Sequence, residues 1–135
     1  MALVAAVLVL ASFGVPAFEG YLLRARVSRA VSEIGTMGLT LYRWQQDHEA
    51  LPATLAEAGI TSTDPWGRPY VYLRAADASA GQKRQDGRRA PLNTDFDLYS
   101  RGADGESAMP LTEPASRDDV VRARDGTYIG LALNY

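Results

Sequence analysis

At 135 residues the chain allows one domain with one modest core. Its 14 basic and 16 acidic residues nearly balance, so nothing in the totals suggests nucleic acid or a strongly charged substrate. The absence of cysteine excludes disulfides, thiolate metal sites and a cysteine nucleophile, and the single histidine, His48, leaves little for a zinc site or a Ser-His-Asp triad, so the expectation is a non-enzymatic protein.

Met1 to His48 is predicted as one long helix with two chemically different halves. Met1 to Phe18, MALVAAVLVLASFGVPAF, carries no charge and is apolar all round, which suits lipid or other such helices. A cleaved signal peptide is the rival reading, but a positive n-region is missing, and the helical pattern continues past any cleavage point. Val27, Ala30, Val31, Ile34, Met37, Leu41 and Trp44 recur at three- and four-residue spacing, the stripe of a helix packed on one partner. Such a helix is about 70 Å long, and only its first half fits a bilayer. The chain therefore divides into residues 1–23, a transmembrane or filament-core segment, and residues 24–135, a globular head that includes the striped half. Gly14 and Pro16 predict a kink or a locally melted turn. Arg24, Arg26 and Arg29 read as ordinary interfacial charges.

The helix should stop near Pro52, because the residue before a proline is pushed out of the α region. His48 then lies near a helix C-terminus, where a structural role is expected. Pro52 to Ala58 reads as a short helix stopped by Gly59. Asp64-Pro65-Trp66-Gly67-Arg68-Pro69-Tyr70 is a dense turn signature, with Trp66 expected to plug the core beside the helix. It leads into a first strand, Tyr70 to Leu73.

Ala75 to Leu92, with Lys83, Arg84, Arg88 and Arg89, reads as a solvated hairpin loop, since no aromatic residue is interleaved with its basic ones. Asp95 to Ser100 alternates polar and apolar residues and is a second strand; Thr127 to Leu133 is a third. The expected fold is α+β: a long N-terminal helix spine packed against a small antiparallel sheet.

Between the second and third strands lie Ser100-Arg101-Gly102-Ala103-Asp104-Gly105-Glu106 and Ser116-Arg117-Asp118-Asp119-Val120. Glycines and carboxylates in this mixture supply the hard oxygen donors that calcium favours, and the spacing is not that of an EF-hand. Asp and Gly are also common turn residues, so composition leaves a solvated acidic loop and a metal site both open.

The run VPAFEGYLLRARVSRAVSE, the turn DPWGRPY and the pattern S-x-G-x-D-G followed by S-x-D-D together resemble the type IV pilin-like family, most closely the major pseudopilin of type II secretion. The resemblance covers most of the chain. It implies a calcium loop in which Asp104 and Asp118 are carboxylate ligands, the carbonyl of Arg101 a backbone ligand and Ser116 a further oxygen ligand, with Asp119 and Val120 weaker candidates. It also implies a single-pass subunit of the bacterial inner membrane with its head in the periplasm. Such a subunit polymerises into a helical filament with its own kind, other pilin-like subunits and an inner-membrane assembly platform. The family's leader glycine, methylated phenylalanine and following glutamate have no counterpart here, so the expectation is that Met1 falls inside the family's apolar segment, through an internal start or a truncation. Two other readings are a major or minor type IV pilin in adhesion, motility or DNA uptake, and a hydrolase using Asp95, Asp97 or Asp104 as acid and base.

Overall fold

The structure, a computed structural model, describes residues 2–88 and 91–135, with side chains from Gly14 onward. Of the apolar run expected for Met1 to Phe18, the side chains before Gly14 lie outside the described residues, as does Arg89 of the basic loop.

Helix α1 (Ala2–His48) is 47 residues and, at the usual rise, about 70 Å long. It is continuous through Pro16, where the sequence predicts a kink or a melted turn. A proline removes one hydrogen bond and bends a helix without breaking the rest of its ladder. The stripe is where periodicity puts it: Ala30, Ile34, Met37 and Leu41 are buried, flanked by half-buried Val27 and Val31. Trp44, expected in the stripe, instead stacks on His48 with ring centroids 3.9 Å apart. His48 Nδ1 lies 3.0 Å from the Trp44 carbonyl, consistent with a role in finishing the helix. Glu49, with φ 58°, then turns the chain out through the left-handed region. Among the described residues no helix is long and apolar enough to cross a membrane.

Pro52 to Ala58 forms successive turns, not the expected helix. The N–H of Ile60 reaches back to the Leu55 carbonyl at 2.9 Å and Gly59 takes φ 73°, which closes the segment before a helical ladder can develop. Leu55, Ala58 and Ile60 still pack on the helix stripe.

Four strands form an antiparallel sheet in chain order: β1 (Val71–Arg74), β2 (Phe96–Ser100), β3 (Val120–Ala123) and β4 (Tyr128–Leu131). Val71 faces Tyr99, Ser100 faces Val120, and Ala123 faces Tyr128. Strand β3 is the addition to the three expected strands. Its four residues follow two aspartates and include Arg122, so no alternation of polar and apolar residues marks it in the sequence. Val120, a weaker candidate in the calcium loop implied by resemblance, belongs to this strand and its side chain is fully buried in the core.

The period-two alternation of strands divides the sheet's side chains between two cores. On the inner face, Tyr72, Phe96, Leu98, Val120, Ile129 and Leu131 meet the helix stripe, with Tyr70 and Trp66 alongside. On the outer face, Val71, Tyr99, Val121 and Ala123 meet Leu92, Leu111 and Ala132. The outer cover corrects the reading of Ala75 to Leu92 as solvated. Leu92 and Arg84 are buried, and Gln85 pairs with Pro110 over the sheet.

Candidate functional site

The loop between β2 and β3 is held by the turn that precedes β1. Asp64 is buried at the head of that turn. Its Oδ1 accepts the backbone N–H groups of Trp66 (3.0 Å) and Arg68 (2.9 Å), the local bonding for which aspartate is favoured in turns. Its Oδ2 accepts the Ser100 hydroxyl at 2.6 Å, and Ser100 Oγ in turn accepts the Gly102 N–H at 3.1 Å. Arg68 completes the clamp by donating to the carbonyls of Gly102 (2.8 Å) and Ala103 (3.4 Å).

Two glycines permit this closeness. Gly102 has φ 62°, and a Cβ there would lie 2.1 Å from the Asp118 carbonyl oxygen; Gly105 has φ 76°, and a Cβ there would lie 2.7 Å from the Arg68 guanidinium carbon. The loop consequently packs closely on Asp118 at Gly102 and on Arg68 at Gly105.

The five residues expected to bind calcium fall into two groups. Asp104 and Asp118 are brought together, the Asp104 N–H donating to Asp118 Oδ2 at 2.8 Å, while Asp104 Oδ1 accepts the Glu106 N–H at 2.8 Å. The Arg101 carbonyl belongs to the same turn and accepts the Gly105 N–H at 3.2 Å. Ser116 and Asp119 are buried and bonded to other partners, Asp119 through Oδ2 alone. Ser116 is buried, its hydroxyl donating to the Ala108 carbonyl (2.8 Å) and accepting the Ala108 N–H (2.9 Å). Asp119 is buried and its Oδ2 accepts Arg84 Nη2 (2.8 Å) and Ser107 Oγ (2.5 Å). Among the described residues no three His, Cys, Asp or Glu side chains lie close enough together to hold a metal ion.

Burial pushes the Asp119 carboxyl up to about 6, against the hydrogen bond from Ser107 and the charge of Arg84. Arg84 lies over the Tyr99 ring at 4.1 Å, and its N–H on the main chain donates to Asp97 Oδ2 at 3.0 Å. Asp97 Oδ1 accepts Asn93 Nδ2 at 2.8 Å, and Asp95 is held by Arg122 and Tyr42 on the inner face. The three aspartates named for a hydrolase, Asp95, Asp97 and Asp104, are each bonded to a separate set of partners.

Sequence reasoning quoted Arg68 within the DPWGRPY turn without seeing its reach to the loop, and it missed Arg84, Ser107 and Arg122 as organising residues. Asp64 had a signal, being an aspartate three residues before the glycine of its turn, Gly67. Arg84 had none, since its partner Asp119 lies 35 residues away. Comparison of the chain with family models, curated proteins and solved structures gives no match.

Proposed function

We propose that this chain is a pilin-like structural subunit, closest in kind to the major pseudopilin of type II secretion, which polymerises through α1 into a helical filament that helps export folded proteins. The observation that carries this reading is the helix itself. Packing on the head begins at Val27 and Ala30, yet α1 starts at Ala2, and along the extension Val15, Phe18 and Tyr21 are 55%, 60% and 61% exposed. Apolar surface of this extent in water is unfavourable at about 25 cal/mol per Å², so a lipid or helical partner is called for. In this reading the extension lies in the bacterial inner membrane, with the head in the periplasm, and exchanges lipid for the helices of other subunits at an assembly platform. The work is mechanical, with no catalytic step.

Calcium is part of the proposal. Asp104, Asp118 and the Arg101 carbonyl offer hard oxygens within one loop, and a divalent cation there would offset the like charges of adjacent Asp118 and Asp119. Ser116 and Asp119, bonded elsewhere, stand behind this set and support it through the packing of their segment. The ion would order the loop and stabilise the head by mass action.

A single experiment separates the two parts. Because the chain has no cysteine, Val15→Cys with Leu23→Cys introduces the only thiols, and oxidation in native membranes should give a crosslinked ladder extending beyond dimers. Monomers and dimers alone would sink the filament. Chelating calcium, or adding Asp104→Ala, should shorten the ladder; a ladder indifferent to both would remove calcium from the proposal and leave the filament standing.

A further inference from the structure

We propose that a cleft beside the C-terminal residues, on the outer side of the head, docks an acidic, partly apolar peptide segment of another protein. The cleft, of about 680 Å³, brings Arg88, Arg117 and Arg124 together from three separate stretches of the chain, beside Leu111, Leu133 and Tyr135. All three arginines are exposed, and none of their guanidinium groups enters an ion pair among the described residues, in a chain that carries more acidic than basic residues. Asp86 also stands in the wall, where its carboxylate accepts the Arg88 N–H at 2.8 Å.

Arg124 is held in place against its backbone preference. It has φ 52° and Asp125 has φ 54°, both in the left-handed region that side-chain-bearing residues avoid. The neighbouring loop enforces this turn: Asp125 N–H donates to Asn93 Oδ1 (2.9 Å), and the Asp125 carboxylate accepts the Thr94 N–H (2.7 Å) and hydroxyl (2.9 Å). The result is an Arg124 side chain laid over the Tyr135 ring, 5.1 Å from its centroid, with Nε donating to the tyrosine hydroxyl at 3.0 Å. Both terminal nitrogens of that guanidinium are without a protein partner among the described residues.

The chemistry of the walls selects the ligand. A guanidinium fork matches a carboxylate bidentately, and three forks around one cleft suit successive acidic side chains. Half-buried Tyr135 supplies apolar surface beside them, with Leu111 buried behind the cleft, and Leu133, 64% exposed, extends that surface at the rim. The three arginines lie within one cleft, which suits a short acidic segment better than a long polyanion. A short acidic segment with interspersed apolar residues meets all of these conditions. The inference stands apart from the filament reading, since the cleft belongs to the head alone.

The test is fluorescence anisotropy of a labelled Glu-Leu-Glu-Leu-Glu peptide titrated with the full chain in a non-ionic detergent. Saturable binding is expected, weakened by salt, and reduced about tenfold by Arg117→Gln, the loss expected for one charge-assisted contact. Arg43→Gln, on the exposed part of α1, should leave binding unchanged, and the Gln-Leu analogue of the peptide, which lacks all three side-chain carboxylates, should bind more weakly by about a hundredfold or more. The proposal is overturned by an absence of saturable binding, by equal binding of the glutamine analogue, by equal effects of the two arginine substitutions, or by tighter binding of heparin than of the peptide.

Discussion

Each face of the sheet buries an arginine against a carboxylate, and the two pairs are built differently. On the inner face Arg122 grips Asp95 with both ends of its fork, Nη1 to Oδ1 at 2.8 Å and Nη2 to Oδ2 at 2.6 Å. The same guanidinium donates to the Phe96 carbonyl and to the Tyr42 hydroxyl, and lies 3.9 Å over the Phe96 ring. On the outer face Arg84 meets Asp119 through one nitrogen and one oxygen, and both Arg84 Nε and Asp119 Oδ1 are buried with no partner. Burial acts to raise the pKa of both carboxyls. At Asp95 the bonds from Arg122, the Phe96 N–H and Tyr42 outweigh it and hold the group below its ordinary value; at Asp119 burial wins. The lesson is that the number of donors around a buried charge, more than the presence of an opposite charge, decides whether ionisation is favoured.

The sharpest way to break this comparison is Arg84→Met, which leaves Asp119 buried without its cation. A loss of about 3–5 kcal/mol is expected in urea unfolding. Adding Asp119→Leu should restore most of it, because two well-packed apolar groups replace an incompletely bonded pair at little cost. A double variant as unstable as the single one would show that the pair contributes through its own attraction.

On the inner face Tyr42 ties α1 to the sheet, its hydroxyl donating to Asp95 Oδ2 at 2.8 Å and accepting from Arg122 Nη2 at 2.6 Å. Tyr42→Phe should cost about 1.5–3 kcal/mol, the range for hydrogen bonds to charged groups. An unchanged unfolding midpoint would mean that the helix is held by the apolar stripe alone.

A smaller and graded effect sharpens the contrast through pH. Asp119 has a folded pKa of about 6 against an ordinary 3.8, so between those values the native state binds the proton that the unfolded chain has released. Stability from this group should therefore fall as the pH rises through that interval and level off above it. Asp95 works in the opposite sense: its folded pKa lies below 3.8, so its contribution is complete above the ordinary carboxylate range and is lost on acidification beneath it. Urea midpoints measured against pH should lose the first slope in Asp119→Leu and the second in Asp95→Asn. A first slope that persists in Asp119→Leu would assign it to another group.

Much of the architecture was legible because its signals are local. The stripe from Ala30 to Leu41 follows from helical spacing, the turn at Asp64 to Pro69 from its prolines and glycine, and β2 from alternation. Strand β3 was not legible, since a four-residue strand is fixed by its pairing with β2 and β4 more than by its own pattern. Of the candidate calcium loop, the closeness of Asp104 to Asp118 was legible from the glycines and carboxylates of the sequence, whereas the bonds of the Ser116 hydroxyl to Ala108 and of Asp119 to Arg84 and Ser107 were not, because they depend on distant residues.

The sequence by itself determined the long helix, its apolar stripe and the turn chemistry around the sheet, because each depends on residues within a few positions of one another. Only the tertiary structure decided which charges are surface and which are core. Among the basic residues of one polar stretch, Arg84 is buried while Arg88 is exposed to solvent at the cleft, and among two adjacent aspartates Asp119 is buried while Asp118 faces the loop. The physical reason is that a charge enters a core only where distant donors or acceptors meet it, and those partners are set by how the sheet folds.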